Sequence, residues 1–245
     1  VSHNYFYRHV EPIHDIIDAY QSVRDNLLVH ESGFPDIASL KAVTALGPAD
    51  YGVQYALSEN PISQGAQIII NSIEKDDDRP IWVLVWGDGA VIAQALEYIR
   101  INEGQETVDE AVSKLRIIDS AGQDDSGAWL MDQEHYPGLF YIRIVDMFCA
   151  MDPMSEQQLW NYPWCGECAK GDVSVVTDEW VAQNIQSHGV LGAVYPDRRW
   201  LKEGDSPTLL YLLYNGLNDP GYPWYGSWGG RMTKKPQEGV RGINA

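Results

Sequence analysis

The residues of this chain with most chemical potential lie in a few short clusters. Asn215-Gly216-Leu217-Asn218-Asp219-Pro220 puts an amide and a carboxylate on a turn, and the Gly-rich stretch that follows carries Trp224, Tyr225 and Trp228. Prolines and glycines fix the shape of such a loop, and loops on a rigid scaffold are where binding and catalysis concentrate. Two further polar clusters are Gly87-Asp88-Gly89 and Gln123-Asp124-Asp125. Carboxylates converging with a backbone carbonyl suit a hard cation such as calcium. The Asn215-to-Trp228 stretch also has a plain reading, as a surface turn whose tryptophans pack on the core.

The elements around these clusters alternate between helix and strand. Ile13, Ile16, Ile17, Tyr20, Val23 and Leu27 recur at helical spacing between Pro12 and Leu28, with Pro12 at a helix start where its missing N–H costs nothing. Asn60-Pro61 reads as the opening of a second helix, with Ile62, Ala66, Ile69, Ile70 and Ile73 on one face. The run Ile81 to Trp86 is almost wholly apolar and stops at Gly87, as a parallel strand buried on both faces does. It is expected to lie centrally in the sheet.

A helix from Ala90 to Ile101 follows, with Ile92, Ala95, Leu96 and Ile99 inward, and Thr107 with Glu110 forms a capping box for the next. Arg116–Asp119 and Leu139–Val145 are further strands, with a weaker helix at Trp129–His135 between them. Asp178 is expected to cap a helix that uses Trp180, Val181, Asn184 and Ile185 and ends at Gly189. The alternation predicts an α/β fold, a mostly parallel sheet with helices on both faces. In such sheets ligands bind beyond the carboxyl ends of the strands. All three polar clusters are expected to follow strands, whereas Asp76-Asp77-Asp78 precedes one and reads as a solvated turn.

Composition narrows the partners. The 245 residues carry a formal net charge of −18, which argues against nucleic acid and anionic membrane surfaces, where phosphates must be met by Lys and Arg. No apolar run is long enough to span a bilayer. Neutral ligands and cations remain. The chain opens at Val1 without an initiator Met and reads as a processed or truncated product.

The cysteines, Cys149, Cys165 and Cys168, fall in or beside an irregular Trp-, Pro- and Cys-rich insertion at 146–176. Cys165-Gly166-Glu167-Cys168 matches the spacing of a redox motif, but it does not follow a strand and open a helix as that motif should. A zinc site lacks two further ligands at suitable spacing. A disulfide, between Cys165 and Cys168 or from either to Cys149, fits best and implies an oxidising, extracellular setting.

Six segments in order carry a family resemblance: Ile13–Tyr20; Trp82–Gly87 with Ala93–Leu96; Gln123–Gly127; Ser187–Pro196; Glu203–Pro207; and Asn218–Arg231. They resemble the nucleoside-hydrolase-like domain of secreted bacterial and fungal proteins, some described as cellulose-binding. The resemblance implies one domain over 1–245, N-terminally incomplete, with the first strand or strands of the sheet missing. It also implies the calcium mechanism of the more distant nucleoside hydrolases, in which the ion holds sugar hydroxyls and a water that attacks the anomeric carbon. Carried over by position, the metal ligands are the Trp86 carbonyl and Asp219, and the catalytic turn is Asn218-Asp219. Asp88, Gln123, Asp124 and Asp125 line the pocket, with Trp224 and Trp228 as further sugar contacts.

The family's turn has His where this chain has Asn218, and an amide cannot act as a general acid at neutral pH. The Asp-rich loop after the first strand has no counterpart, so calcium is expected only in the complete protein. Two functions follow from the resemblance: a hydrolase of N-glycosidic or related bonds, and a carbohydrate-binding protein with a non-catalytic pocket. The partner is then a sugar or nucleoside-like small molecule, with cellulose as a candidate. A redox protein using Cys165 and Cys168 is a third, minor class.

Overall fold

A computed structural model describes residues 9–120, 122–132, 134, 136–144, 173–197, 205–232 and 243–244. The three cysteines, most of the 146–176 insertion and Glu203 lie outside them. The chain divides into two compact units, one of 1–8, 46–147 and 205–245, the other of 9–45 and 148–204.

The larger unit is built on a parallel sheet: β1 (Ile81–Val85), β2 (Leu115–Ser120), β3 (Phe140–Ile144) and β4 (Ile243–Asn244), in that order. Ile81 pairs with Leu115 and Arg116 with Phe140, so β1, β2 and β3 run nearly flush and end together. Side chains alternate between the two faces of a strand, and both faces are covered. Val85, Leu115, Ile117 and Tyr141 face a core shared with α3 (Val53–Ser58), α4 (Gln64–Ile73), α5 (Ala90–Asn102) and α6 (Gln105–Lys114). Trp82, Leu84, Ile118, Ile142 and Ile144 form the opposite face, under Tyr211 and Met232. The α/β expectation therefore holds. The placement of β1 does not: among the described strands it is an edge, with Val85 buried and Val83 partly buried.

Of the helices, α5 is buried almost all round, including the predicted Ile92, Ala95, Leu96 and Ile99. One polar side chain holds it in place. Buried Gln94 accepts from the Ser63 N–H (3.1 Å) and hydroxyl (2.6 Å), and donates to the Ala56 carbonyl (2.6 Å). Ser63 also caps α4, which therefore starts at Gln64 rather than at Asn60-Pro61. The Thr107–Glu110 box is likewise overtaken. Gly104, at φ +92°, is the N-cap of α6, leaving Thr107 inside the first turn. The Trp129–His135 helix is displaced to α7 (Ser126–Leu130), because the chain turns helical directly after the Asp124-Asp125 loop.

The second unit is helical where described. α1 (Glu11–Leu28) packs on α2 (Ile37–Ala42) and on the short Gly189–Ala193 helix. Ile17 and Ala19 are its buried residues, while Ile13 and Ile16 are half exposed. The helix expected from Asp178 is capped instead by Thr177, whose hydroxyl accepts from Trp180 N at 3.1 Å. After Val181 it widens into a π-helical segment, Ala182–Gln186, and Gly189 begins the next helix at φ +70°.

Candidate functional site

Because β1 and β2 pair in parallel and end flush, the loops that follow them sit side by side at the carboxyl edge of the sheet. The first carries Asp88, buried, with Oδ1 accepting from Ala90 N at 2.7 Å at the mouth of α5. The second carries Asp124, whose Oδ2 accepts from Gly89 N at 3.2 Å and whose Oδ1 accepts from the Ser126 hydroxyl at 2.6 Å. The two carboxyls hydrogen-bond to each other. Burial first, and then the neighbouring Asp88, push Asp124 up to about 7. Burial and a neighbouring like charge both disfavour the charged form, so Asp124 keeps its proton into the neutral range. Such a pair can give or take a proton near pH 7.

Glycine leaves room for the Ser126 hydroxyl. A Cβ at Gly89 would collide with Ser126 Oγ, so a side chain there would turn the hydroxyl away and break its bond to Asp124. The second loop is braced from two sides. Asp125 Oδ1 accepts from Val53 N at 2.9 Å, and the Gln123 carbonyl accepts from the Tyr51 hydroxyl at 2.9 Å. Beneath it, buried Asp119 accepts from the Tyr141 hydroxyl (2.7 Å) and Gly122 N (3.0 Å). Burial raises Asp119, against the lowering effect of those two bonds and of Arg143. Tyr51, Ser126, Asp119 and Tyr141 were not singled out from the sequence. Only Ser126, adjoining the acidic pair, carried a local signal.

On the opposite face, Trp86 Nε1 donates to Thr208 Oγ1 at 2.8 Å, tying the end of β1 to the Ser206–Leu210 helix. Tyr211, at the end of that helix, donates its hydroxyl to the Pro220 carbonyl at 2.5 Å. The Asn218-Asp219 turn thus follows a helix, not a strand as expected. Asn218 Oδ1 accepts from Asn215 N (3.0 Å), and its amide donates to the Tyr211 carbonyl (3.2 Å). Asp219 is exposed, with Oδ1 accepting from Gly221 N at 2.8 Å. The structure brings Asp88 and Asp124 together, and it connects Trp86 to the Asp219 turn through the helix. It shows no hydrogen bond joining Asp219 to the acidic pair among the described residues.

That same turn opens the aromatic loop. Tyr214 (84% exposed), Tyr222 (46%), Trp224 (42%), Tyr225 (49%) and Trp228 (64%) all present ring surface to solvent. Loop hydrogen bonds fix their mounting: Tyr222 N to Asp219 O, Tyr225 N to Tyr222 O, Met232 N to Pro223 O, and a pair between Ser227 and Gly230. A Cβ at Gly229 would strike the Pro207 carbonyl, so the loop sits tightly on the Ser206–Leu210 helix. A shallow hollow of about 520 Å³ lies elsewhere, between Leu46 and Gln64. The Glu59 carboxylate there accepts from Ala49 N, and the acidic pair does not line it.

A family model described as cellulose-binding Sde182, nucleoside hydrolase-like domain, matches residues 2–232. The chain belongs to this family. A solved structure of a nucleoside hydrolase-related hypothetical protein from Saccharophagus degradans, associated with carbohydrate metabolism, is similar at 35% identity with a TM-score of 0.75. The match covers 97% of this chain and 51% of that one, so the present chain spans about half its length. No curated protein matches. For this Sde182-type domain, no described helix is long and apolar enough to cross a membrane.

Calcium takes six to eight oxygens. Among the described residues of the Sde182-type domain no three acidic, His or Cys side chains form a metal-binding group. Asp88 accepts from Ala90 N, and Asp124 accepts from Gly89 N and Ser126 Oγ and is raised toward its neutral form. By themselves, these residues do not fit calcium.

Proposed function

We propose that this domain binds carbohydrate, cellulose or a related β-glucan, through the exposed aromatic loop at 214–228. The observation that carries the reading is the run of solvent-facing Tyr and Trp rings on a hydrogen-bonded loop, in a chain of a family described as cellulose-binding. Aromatic faces in water gain by covering apolar surface while their polar atoms stay wet, and the C–H face of a pyranose ring offers such surface. Retention on cellulose tests it. The chain should bind and elute late, and Trp224→Ala with Trp228→Ala should release it. Unchanged retention of the double variant would overturn the assignment to this loop.

A second reading, hydrolysis of an N-glycosidic or related bond, is supported by the Asp88–Asp124 pair at the strands' carboxyl ends. With Asp124 pushed up to about 7, the pair is matched to acid–base work at neutral pH, protonating a leaving group or relieving a water of its proton. Calcium belongs with this reading as a proposal for the longer protein. There the Trp86 carbonyl and Asp219 would need further oxygens, and the acid–base role of the pair does not depend on it. Release of sugar from nucleosides or glycans that is lost in Asp124→Asn would support hydrolysis. An extracellular location, where cellulose is met and where two of Cys149, Cys165 and Cys168 would pair in a disulfide, is part of the same proposal.

A further inference from the structure

The orientation of the aromatic rings says what form of glucan they suit. Tyr222 and Tyr225 lie within 17° of parallel with centroids 5.1 Å apart, so they are stacked on each other. Each ring covers part of one face of the other, and both remain about half exposed. Trp224 is turned 75° from Tyr222 (5.6 Å) and 89° from Tyr225 (6.5 Å). A crystalline cellulose face presents many pyranose rings in one plane. No plane can lie on Trp224 and on the tyrosine pair together.

We propose that Trp224 and the stacked tyrosine pair take a single β-glucan chain, free to twist between residues, and not the flat face of a crystal. The inference rests on the carbohydrate-binding reading above. A free chain can present one ring face to Trp224 and, after rotating about a glycosidic bond, another to the tyrosine pair. Its hydroxyl edges would then meet the polar groups of the loop. Arg231, an exposed side chain, runs alongside Gly226, its Nε 3.4 Å from where a Cβ on that glycine would stand. Gly226 itself has φ +96°, so a side chain there is disfavoured and the approach stays open. The Ser227–Gly230 hydrogen bonds, 2.8 and 3.1 Å, fix the loop before ligand arrives, which lowers the ordering cost of binding.

The experiment compares cellohexaose in solution, amorphous cellulose and microcrystalline cellulose, the solids normalised to accessible surface. Cellohexaose and amorphous cellulose should bind, and cellohexaose should compete the protein off the amorphous solid. Binding to the crystalline solid should be weaker by about tenfold or more. Trp224→Ala should weaken cellohexaose binding by about tenfold, as truncation of a central aromatic contact does. Trp224→Phe, which keeps a ring and tests for misfolding, should retain most of it. Tighter binding to crystalline cellulose with no competition by cellohexaose would overturn the proposal while leaving carbohydrate binding intact. Binding to none of the three would overturn the carbohydrate-binding reading and this inference with it.

Discussion

Replacing Asp124 by Asn should make the protein more stable in neutral solution and no more stable in acid. Asp124 titrates at about 7 in the fold against an ordinary value of 3.8, through burial and then the neighbouring Asp88. A carboxyl raised in this way adds nothing adverse below pH 3.8, where folded and unfolded chains are both protonated. Between 3.8 and about 7 only the unfolded chain loses its proton, so stability falls across that window and levels off above it. Each pH unit corresponds to about 1.4 kcal/mol, giving a ceiling of about 4 kcal/mol. Asp124 is partly solvated, and screening reduces this to about 2 kcal/mol.

Asn keeps an oxygen for Gly89 N, and its N–H₂ takes the place of Oδ1, where the Ser126 hydroxyl turns from donor to acceptor, so the loop geometry survives without the charge. Urea unfolding followed by tryptophan fluorescence at pH 4, 5, 6, 7 and 8 should show the variant level with the parent at the acid end. It should lead by about 2 kcal/mol at pH 8. A difference that does not vary with pH, or a variant less stable at pH 8, would refute the raised proton affinity of Asp124. Sites that hold strain for function are expected to behave this way, so lost hydrolysis in the stabilised variant would tie the pair to chemistry.

Two further outcomes test the scaffold. Gln94→Ala leaves the Ser63 N–H and the Ala56 carbonyl without their buried partner and opens a cavity, so it should cost about 3–5 kcal/mol, read as a fall in thermal midpoint; an unchanged midpoint would contradict the network. Gly229→Ala drives a Cβ into the Pro207 carbonyl and should cost about 1–3 kcal/mol while weakening retention on cellulose, since the aromatic loop must lift from the helix beneath it; full stability and retention would show that the contact is not tight.

What could be read from the sequence was what a local pattern determines. The apolar run at 81–86 and the inward face of α5 needed only periodicity, and both appear as strand and helix. Caps were less legible because several residues compete for each. Gly104 outcompetes Thr107 by turning the chain at positive φ, and Thr177 stands one residue before Asp178 with its own hydroxyl. Ser63 owes its place to Gln94, which lies 31 residues away. The acidic clusters after β1 and β2 were visible as clusters, and the parallel rule put both at one edge. That Asp88 and Asp124 would touch, with Asp125 turned to Val53, depends on strand register. The turn at Asn218-Asp219 was expected to follow a strand, whereas the element before it is a short helix, Ser206–Leu210, with Pro207 in its first turn.

Gly89 makes the acidity of Asp124 a matter of contact. A side chain at that position would push the Ser126 hydroxyl from its place between the loops, and with it would go the hydrogen bond that steadies the Asp124 carboxylate. That bond lowers the proton affinity of Asp124 against burial and the neighbouring Asp88, so its loss would raise the affinity further. A mutation that neither adds nor removes a charge would then retune the proton affinity of the site, with every acid still in its place in the sequence.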